Sequence, residues 1–552
     1  MVECFHRGSR RMTAPPAPPA PTAWAPLRRR TYRALWLAQF ASNIGTWAQT
    51  VGAQWFMGDL GGSDFEIALV QAATTLPVFL LVVPSGAVGD VLDRRHVLMA
   101  GQAVMLAGSA GLVALAASGY ATPVALLALI ALMGVGQALS MPSFQAIQPE
   151  LVPRAEIPQA ALLNGVNMNV GRAIGPALGG ALIGAAGPGA AFAVNTVSFL
   201  GVLLVLGRWR RPSDHRPLGA EGVPTAVRSG ARYVRSSPLF ARVLVRCVLF
   251  VVFGSGLWAL LPAIARGPLG LGASGYGALL GCIGAGAIGG AVVVPRLLRR
   301  IGKNVLVTVA TCAYAVATGA AGLTTSTWVA IPAMLVAGAS WIAVLSTLNA
   351  TAQVLLPAWT RARALAYYQL MFMGGQAFGA VVWGAVAAGS GPRAALLVPA
   401  VAMVLVVLVA ARLLPLTERQ LDISPARLWD APPEVADATA GPVLVAVSWR
   451  VRAPRVAEFV AAMRKVGRSR RRTGATSWGL FRDSEDPELF LETFTVATWR
   501  EHLRQHLERG TAVDVEVERI ARALAVEGPE VRHLLWAAHL DRGRAGDAPD
   551  EE

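Results

Sequence analysis

The chain is 552 residues long, 54% hydrophobic and only 15% charged, with 57 glycines; a soluble domain carries roughly 25% charged residues, so a soluble enzyme is excluded as its main body. The formal charge is +16, but residues 1 to 415 carry +19 and residues 416 to 552 carry −3, so two different bodies share the chain. Basic side chains set between membrane-length apolar runs suit the loops of a membrane protein, and no exposed aromatic readers accompany them, which argues against nucleic acid as a partner.

Residues 1–31 are Pro- and Arg-rich, with no short apolar core and no small-residue cleavage site, and read as a disordered tail rather than a signal peptide. The cysteines Cys4, Cys247, Cys282 and Cys312 lie one per segment without CxxC spacing, so no disulfide framework is expected.

A helix crossing the hydrocarbon core needs about 20 mostly apolar residues. Twelve such runs follow the tail. Six form a bundle over 32–207: Tyr32 to Met57, Ile67 to Val88, Val97 to Ala117, Pro123 to Met141, Ala160 to Ala186 and Ala190 to Leu206. Six more occupy 239–415: Leu239 to Ala265, Tyr276 to Val294, Val305 to Leu323, Trp328 to Leu348, Ala364 to Ala388 and Ala394 to Leu414. The connection 208–238 joins them.

Arg28 to Arg30, Arg94 and Arg95, Arg208 to Arg235, Arg296 to Lys303, and Arg361 and Arg363 all fall on one side, while the other carries Asp59, Asp64, Glu66 and the single arginines Arg266 and Arg393. Positively charged short loops stay in the cytoplasm, which places both termini there. Shifting the chain by 204 residues brings Pro153 onto Pro357, Ala160 onto Ala364, Gly171 onto Gly375, Gly175 onto Gly379 and Gly180 onto Gly384, so the halves are repeats. Two such halves enclose a cavity near the bilayer midplane that opens to either side in turn.

Polar side chains within apolar spans point to an interior pathway more often than to lipid. In span 1, Gln39, Asn43, Thr46, Thr50 and Gln54 form one helical stripe; span 5 adds Asn164 and Asn167, and span 11 adds Gln369 and Gln376. A neutral amide-lined cavity suits a mostly apolar substrate with several hydrogen-bonding groups; interhelical packing is the alternative for each residue. Arg172 lies about 13 residues into span 5, near mid-membrane at 1.5 Å per residue, where an unpaired charge is costly. It marks substrate contact or gating, with structural anchoring as the alternative. No Asp or Glu lies deep in a span, and Asp64 and Glu66 are weak substitutes for a proton-coupling carboxylate.

After span 2 the chain carries Gly86, Asp90, Arg94 and Arg95, with Val91 and Asp93 between them. This resembles the G-x-x-x-D-[RK]-x-G-[RK]-[RK] loop of the major facilitator superfamily, although Val91 replaces a basic residue and Asp93 the second glycine. After span 8, Arg300, Gly302 and Lys303 match the basic and glycine positions, with Arg299 close by. The resemblance implies a cytoplasmic latch; charge retention and topology alone are the alternative. Span 5 reads Gly171, Gly175, Pro176, Gly179 and Gly180, which is similar to the G-x-x-x-G-P-x-x-G-G motif of exporters in that superfamily and implies export, against plain glycine-mediated packing. The segments SNIGTWAQTVGAQWF, MPSFQAIQPELVPRAEIPQAALLNGVNMNVGRAIGPALGG and SGARYVRSSPLFARVL resemble the transmembrane secretion effector branch. No GxxxxGK[ST] loop is present, which argues against direct drive by ATP.

Beyond a linker at 416–441, the pattern over 442–540 becomes that of a soluble domain, closed by an acidic tail at 541–552. A strand over Val443 to Val451, a helix from Val456, a hairpin of Thr476 to Phe481 and Leu489 to Val496, a helix opened by Thr498 and Glu501, another near Val513 to Leu524 and a strand over Val531 to Trp536 predict a ferredoxin-like α+β fold. It resembles antibiotic biosynthesis monooxygenase modules. His502 and His506 share a helix face, but no third ligand and no HExxH glutamate is evident, so solvated surface, no metal and no catalytic set are expected.

Together these readings predict an all-α membrane protein of twelve transmembrane helices in two six-helix repeats, with a C-terminal cytoplasmic module. Its expected role is alternating-access export of a siderophore-, antibiotic- or drug-like small molecule across the inner membrane, by antiport against protons. No cofactor is expected, and the C-terminal module is expected to dimerise or regulate. A tail acting as an enzyme or sensor on the same substrate, and a scaffold that transports nothing, are the alternatives.

Overall fold

The computed structural model describes residues 22, 24–209, 223–357, 359–416, 422–427, 440–527 and 529–536. Nearly all of the tail, most of the linker and the acidic end lie outside them, as do the side chains of Gly86 and Asp90.

The N-terminal bundle consists of α1 (Arg30–Asp59), α2 (Asp64–Val91), α3 (Arg94–Ser118), α4 (Pro123–Ile147), α5 (Ile157–Ala186) and α6 (Pro188–Arg208). α7 (Val223–Ser236) precedes a second bundle of α8 (Pro238–Arg266), α9 (Ala273–Leu323), α10 (Thr327–Leu355) and α11 (Arg361–Leu413). Eight of these helices are long and apolar enough to cross a membrane. α9 and α11 each hold a sharp break, at Gly302 (φ 74°) and Gly391 (φ 81°), in the left-handed region that glycine adopts without a Cβ penalty. The glycine of the second basic loop is therefore the break between two helical segments.

The repeat has a packing counterpart. α5 lies on α1 through Gly171 and Gly175, where an added Cβ would sit 3.0 Å from Asn43 Cβ and 2.6 Å from Trp47 Cβ. In the second half α11 lies on α8 in the same way, Gly375 meeting Val251 and Gly379 meeting Ser255. Between halves the contacts cross: Gly180 of α5 faces Gly277 of α9, and Gly384 of α11 faces Ala68 of α2.

The connection 208–238 departs from expectation, because it contains α7. Tyr233 of α7 is buried, donates to the Leu355 carbonyl at 3.1 Å and meets Trp359 edge-on. The helix is too short and polar to span a membrane, so it packs across the end of the second bundle.

The C-terminal module is β1 (Val443–Arg450), α12 (Val456–Thr473), β2 (Ser477–Arg482), β3 (Leu489–Val496), α13 (Trp499–Leu507), α14 (Ala512–Arg522) and β4 (Glu530–Leu535). The antiparallel sheet has the order β2-β3-β1-β4. Val443, Val445, Val447 and Trp449 alternate inward against Phe459, Met463 and Val466 of α12, as period-two and period-3.6 patterns require. α12 packs on α7, and Arg509 lies 5.1 Å over the Trp359 ring, so the module sits against the second bundle.

Candidate substrate pathway

The stripe on α1 opens onto a cavity of about 210 Å³ inside the first bundle. Gln39, Asn43, Thr46 and Thr50 line it, together with Asn164 from α5. Asn167 stands behind: it accepts from Asn43 Nδ2 at 2.6 Å and donates to the Trp36 carbonyl at 3.1 Å, fixing α5 to α1. Gln369 and Gln376 do not line this cavity; both are half-buried on α11 in the other bundle.

Several lining groups were not singled out from sequence. Gln49 accepts from Ser109 Oγ at 2.8 Å and Asn195 Nδ2 at 2.7 Å, tying α1 to α3 and α6 beneath the cavity wall. Gln102, Gln137 and Ser140 add polar atoms from α3 and α4. Gln49 sits beside Thr50 on α1, and Gln137 and Ser140 lie three apart on α4, but only the assembled bundle brings them to one cavity.

Arg172 lies outside this cavity, against the joint between bundles. Its Nε is buried without a hydrogen-bond partner, and among the described residues no acidic side chain pairs with it. The guanidinium instead sits 5.6 Å over the Trp47 ring. From Trp47 an aromatic series crosses into the second half, through Trp258 at 6.1 Å and Trp341 a further 5.4 Å on, with Phe250 and Tyr314 around Trp341. A cation and polarisable ring faces together suit an anionic or aromatic organic group.

The joint is closed at the end that carries Asp59. Arg266 donates to Asp59 and to the Trp55 carbonyl, both at 2.9 Å, and stacks 4.1 Å over the Trp55 ring. Tyr276 donates to Gln54 Oε1, and Gln54 Nε2 donates to the Trp258 carbonyl at 3.3 Å. Gln54, read as part of the lining stripe, therefore seals the joint. Glu66 accepts from Ser63 N at 2.8 Å and Ser63 Oγ at 2.9 Å in an N-terminal cap, a structural use of one of the two acids near the pathway.

At the opposite end Arg95 donates to the carbonyls of Leu206 and Gly207 at 2.8 and 2.9 Å, closing the C-terminus of α6. Arg94 pairs with Glu150 at 3.4 Å. Asp93, where the motif has glycine, caps α3 by accepting from Arg95 N at 2.8 Å. Both arginines thus hold neighbouring elements of the same half. Arg300 is exposed beside the Gly302 corner, and Lys303 is half-buried just past it.

The module corrects one expectation outright: His502 and His506 are buried, not solvated, and His533 of β4 stands with them. Burial holds the His502 and His506 imidazoles down to about 4 and about 3, with their neighbours' charges adding to the effect, so both are neutral near pH 7. The missed signal was tertiary, since His533 pairs with Val445 on the sheet and comes to the helix from 27 residues away. Glu501, expected to complete a capping box, accepts from Arg509 at 2.7 Å instead, although Thr498 does accept from Glu501 N at 3.2 Å.

Two helical bundles with a polar cavity, sealed at one end of their joint, define a membrane transporter of the major facilitator type. The chain belongs to the transmembrane secretion effector family, which it matches over residues 21–540. It is 24% identical to the staphyloferrin A transporter of Staphylococcus aureus (strain NCTC 8325 / PS 47) over 48% of this chain and 67% of that protein. The enterobactin exporter EntS of Salmonella typhi is 24% identical over 52% and 69%, and the multidrug efflux pump Tap of Mycobacterium bovis 24% identical over 36% and 49%. Among solved structures, an inward-facing bacterial homolog of the human lysosomal transporter Spinster shares the fold at TM-score 0.56 and 17% identity, over 70% of this chain and 96% of that one. A bacterial homologue of the iron transporter ferroportin, also inward-facing, does so at 0.55 and 16%, over 69% and 98%.

Proposed function

We propose that the protein exports an organic small molecule, siderophore- or drug-like, across the inner membrane by alternating access. The observation that carries this reading is the polar cavity within a bundle whose joint with the other is sealed at the Asp59 end. With the Arg-rich loops in the cytoplasm, that end is external and the cavity faces inward. Twelve crossings follow if α1 and α5, which carry the polar stripe and the glycine face, join the eight strongly apolar helices, and if α9 and α11 each cross twice about their glycine corners. At 51 and 53 residues, each is long enough for two passes of about 20 residues.

The substrate pathway is read as Gln39, Asn43, Thr46, Thr50 and Asn164 in the cavity, with Arg172 meeting an anionic group as the halves rock. Antiport against protons supplies the drive. We read the module as ferredoxin-like, with an extra helix before β4, and as the unit through which two copies pair by the sheet face that its helices leave uncovered. A fused enzyme acting on the cargo is the second reading, favoured only by the resemblance of the module to monooxygenase domains.

Comparative profiling of cells with and without the gene tests the proposal. A compound should accumulate inside the deletion strain and fall in its medium, and the wild-type gene should reverse both. Arg172→Ala, by losing one charge-assisted contact of about 1.5–3 kcal/mol, should lower export about 10- to 100-fold at normal membrane levels. Identical profiles with and without the gene would refute export.

The external seal has its own expected result. An exposed ion pair contributes about 0–1 kcal/mol and a cation–π contact about 0.5–1 kcal/mol, so Arg266→Ala should raise the outward-open population about 2- to 30-fold. A Thr50→Cys reporter, in a chain otherwise free of cysteine, should then react that much faster with an impermeant maleimide added outside. An unchanged rate would remove Arg266 from the gate.

A further inference from the structure

We propose that His502, His506 and His533 form a binding site for one transition-metal ion of the kind zinc(II) represents. The inference concerns the C-terminal module and holds whether or not the transport reading does. α13 sets His502 and His506 four residues apart, one turn above the other on the same face, and β4 brings His533 across from the sheet. One ligand nitrogen from each ring lies within 4.8 Å of the other two. His502 Nε2 and His506 Nε2 are 3.1 Å apart. Two zinc–nitrogen bonds of about 2.0–2.1 Å at a tetrahedral angle span about 3.3 Å, so the pair needs only a small adjustment to share an ion.

The surroundings orient the donors. Gln505 Nε2 donates to Thr473 Oγ1 at 3.0 Å and to the Arg470 carbonyl at 3.3 Å, which turns Oε1 toward His502 Nδ1 at 3.4 Å. A proton held on Nδ1 leaves the Nε2 lone pair directed at the other rings, the outer-shell arrangement that ligating imidazoles adopt. Trp499 walls the site at 5.4 Å from His502 and 5.6 Å from His533, and His533 Nε2 is buried without a hydrogen-bond partner. Packing alone gives no account of that nitrogen; a shared cation does. Arg470, which faces the cluster, is held by Glu492 and Glu518 at 3.1 and 3.0 Å. Three neutral imidazoles with no carboxylate among them select zinc, copper, nickel or cobalt over magnesium or calcium, and leave a fourth position for water or another donor. His533 is only half-buried, which gives an ion a way in.

The test uses the full chain in detergent, its affinity tag removed, treated with chelator and then given zinc chloride alone. One zinc per chain should survive gel filtration, and cobalt in its place should give the intense visible absorption of four-coordinate Co(II). His533→Asn should weaken zinc binding at least about 100-fold and Gln505→Ala about 10-fold, with gel-filtration and circular dichroism profiles unchanged and His6, His96, His215 and His539 still present. Less than about a tenth of an equivalent in the folded wild type, or equal affinity in the variant lacking all three imidazoles, would overturn the site.

Discussion

Gly179→Leu is expected to abolish export while Gly165→Leu, on the same helix, preserves it. A Cβ at Gly179 would lie 2.5 Å from Ala48 Cα and 2.9 Å from its carbonyl oxygen, and one at Gly175 would lie 2.9 Å from the Ile44 carbonyl. These are backbone atoms, so no rotamer change relieves the overlap; α5 and α1 must part. α5 has little room to retreat, because on its other side a Cβ added at Gly180 would lie 2.7 Å from Gly277 Cα on α9. Overpacking costs about 1–3 kcal/mol where side chains can yield, and more is expected against backbone. Parting α1 from α5 also breaks the Asn43–Asn167 bond and moves the cavity wall. Gly165 has no atom within 4 Å of an added Cβ, which makes it a matched control for residue type and helix. Export of the profiled compound, normalised to membrane level, reads the difference. Normal export by Gly179→Leu would show that this face is mere spacing.

The membrane body was legible because its signals are local and repeated. Apolar length placed the long apolar helices, although it missed the short polar α7 and ended α4 and α10 six and seven residues early; the glycine spacing marked a close-packed face without saying which helix lay on it. Two classes of feature were not legible. Polar residues of different helices, such as Gln49 and Gln102, share no signature in sequence, so their gathering around the cavity depends on the arrangement of the bundle. Residues distant in sequence that the fold brings together, such as Arg266 with Trp55, or His533 with His502, show themselves only once helices and strands are assembled. The same limit explains Gln54: its spacing put it on the lining stripe, but its height along α1 put it in the seal. Stripe arithmetic fixes azimuth, and tertiary structure fixes what lies opposite.

Charge in the module raises the other large expectation: Arg470→Ala should strongly destabilise the module and leave the helical body intact. Arg470 is 1% exposed, Glu492 is fully buried, and Glu518 is 4% exposed. Burial alone would lower the Arg470 guanidinium, but the two carboxylates outweigh it and hold the group charged above its ordinary value. Glu492 also accepts from Trp449 Nε1 at 3.3 Å and Trp478 Nε1 at 3.0 Å, so the ion pair is built into the core between sheet and α12. Removing the cation leaves two carboxylates in a low-dielectric interior, which costs about 3–5 kcal/mol out of a typical total of about 5–15 kcal/mol. Amides of β1 and β3 should then exchange about 100- to 3,000-fold faster, at a decade per about 1.4 kcal/mol, while those of α8 to α11 stay protected. Export measured in the same variant separates two roles for the module. If transport persists with the module destabilised, docking through α7 and Arg509 is regulatory or assembles copies; if transport stops, the docked module is part of the working cycle.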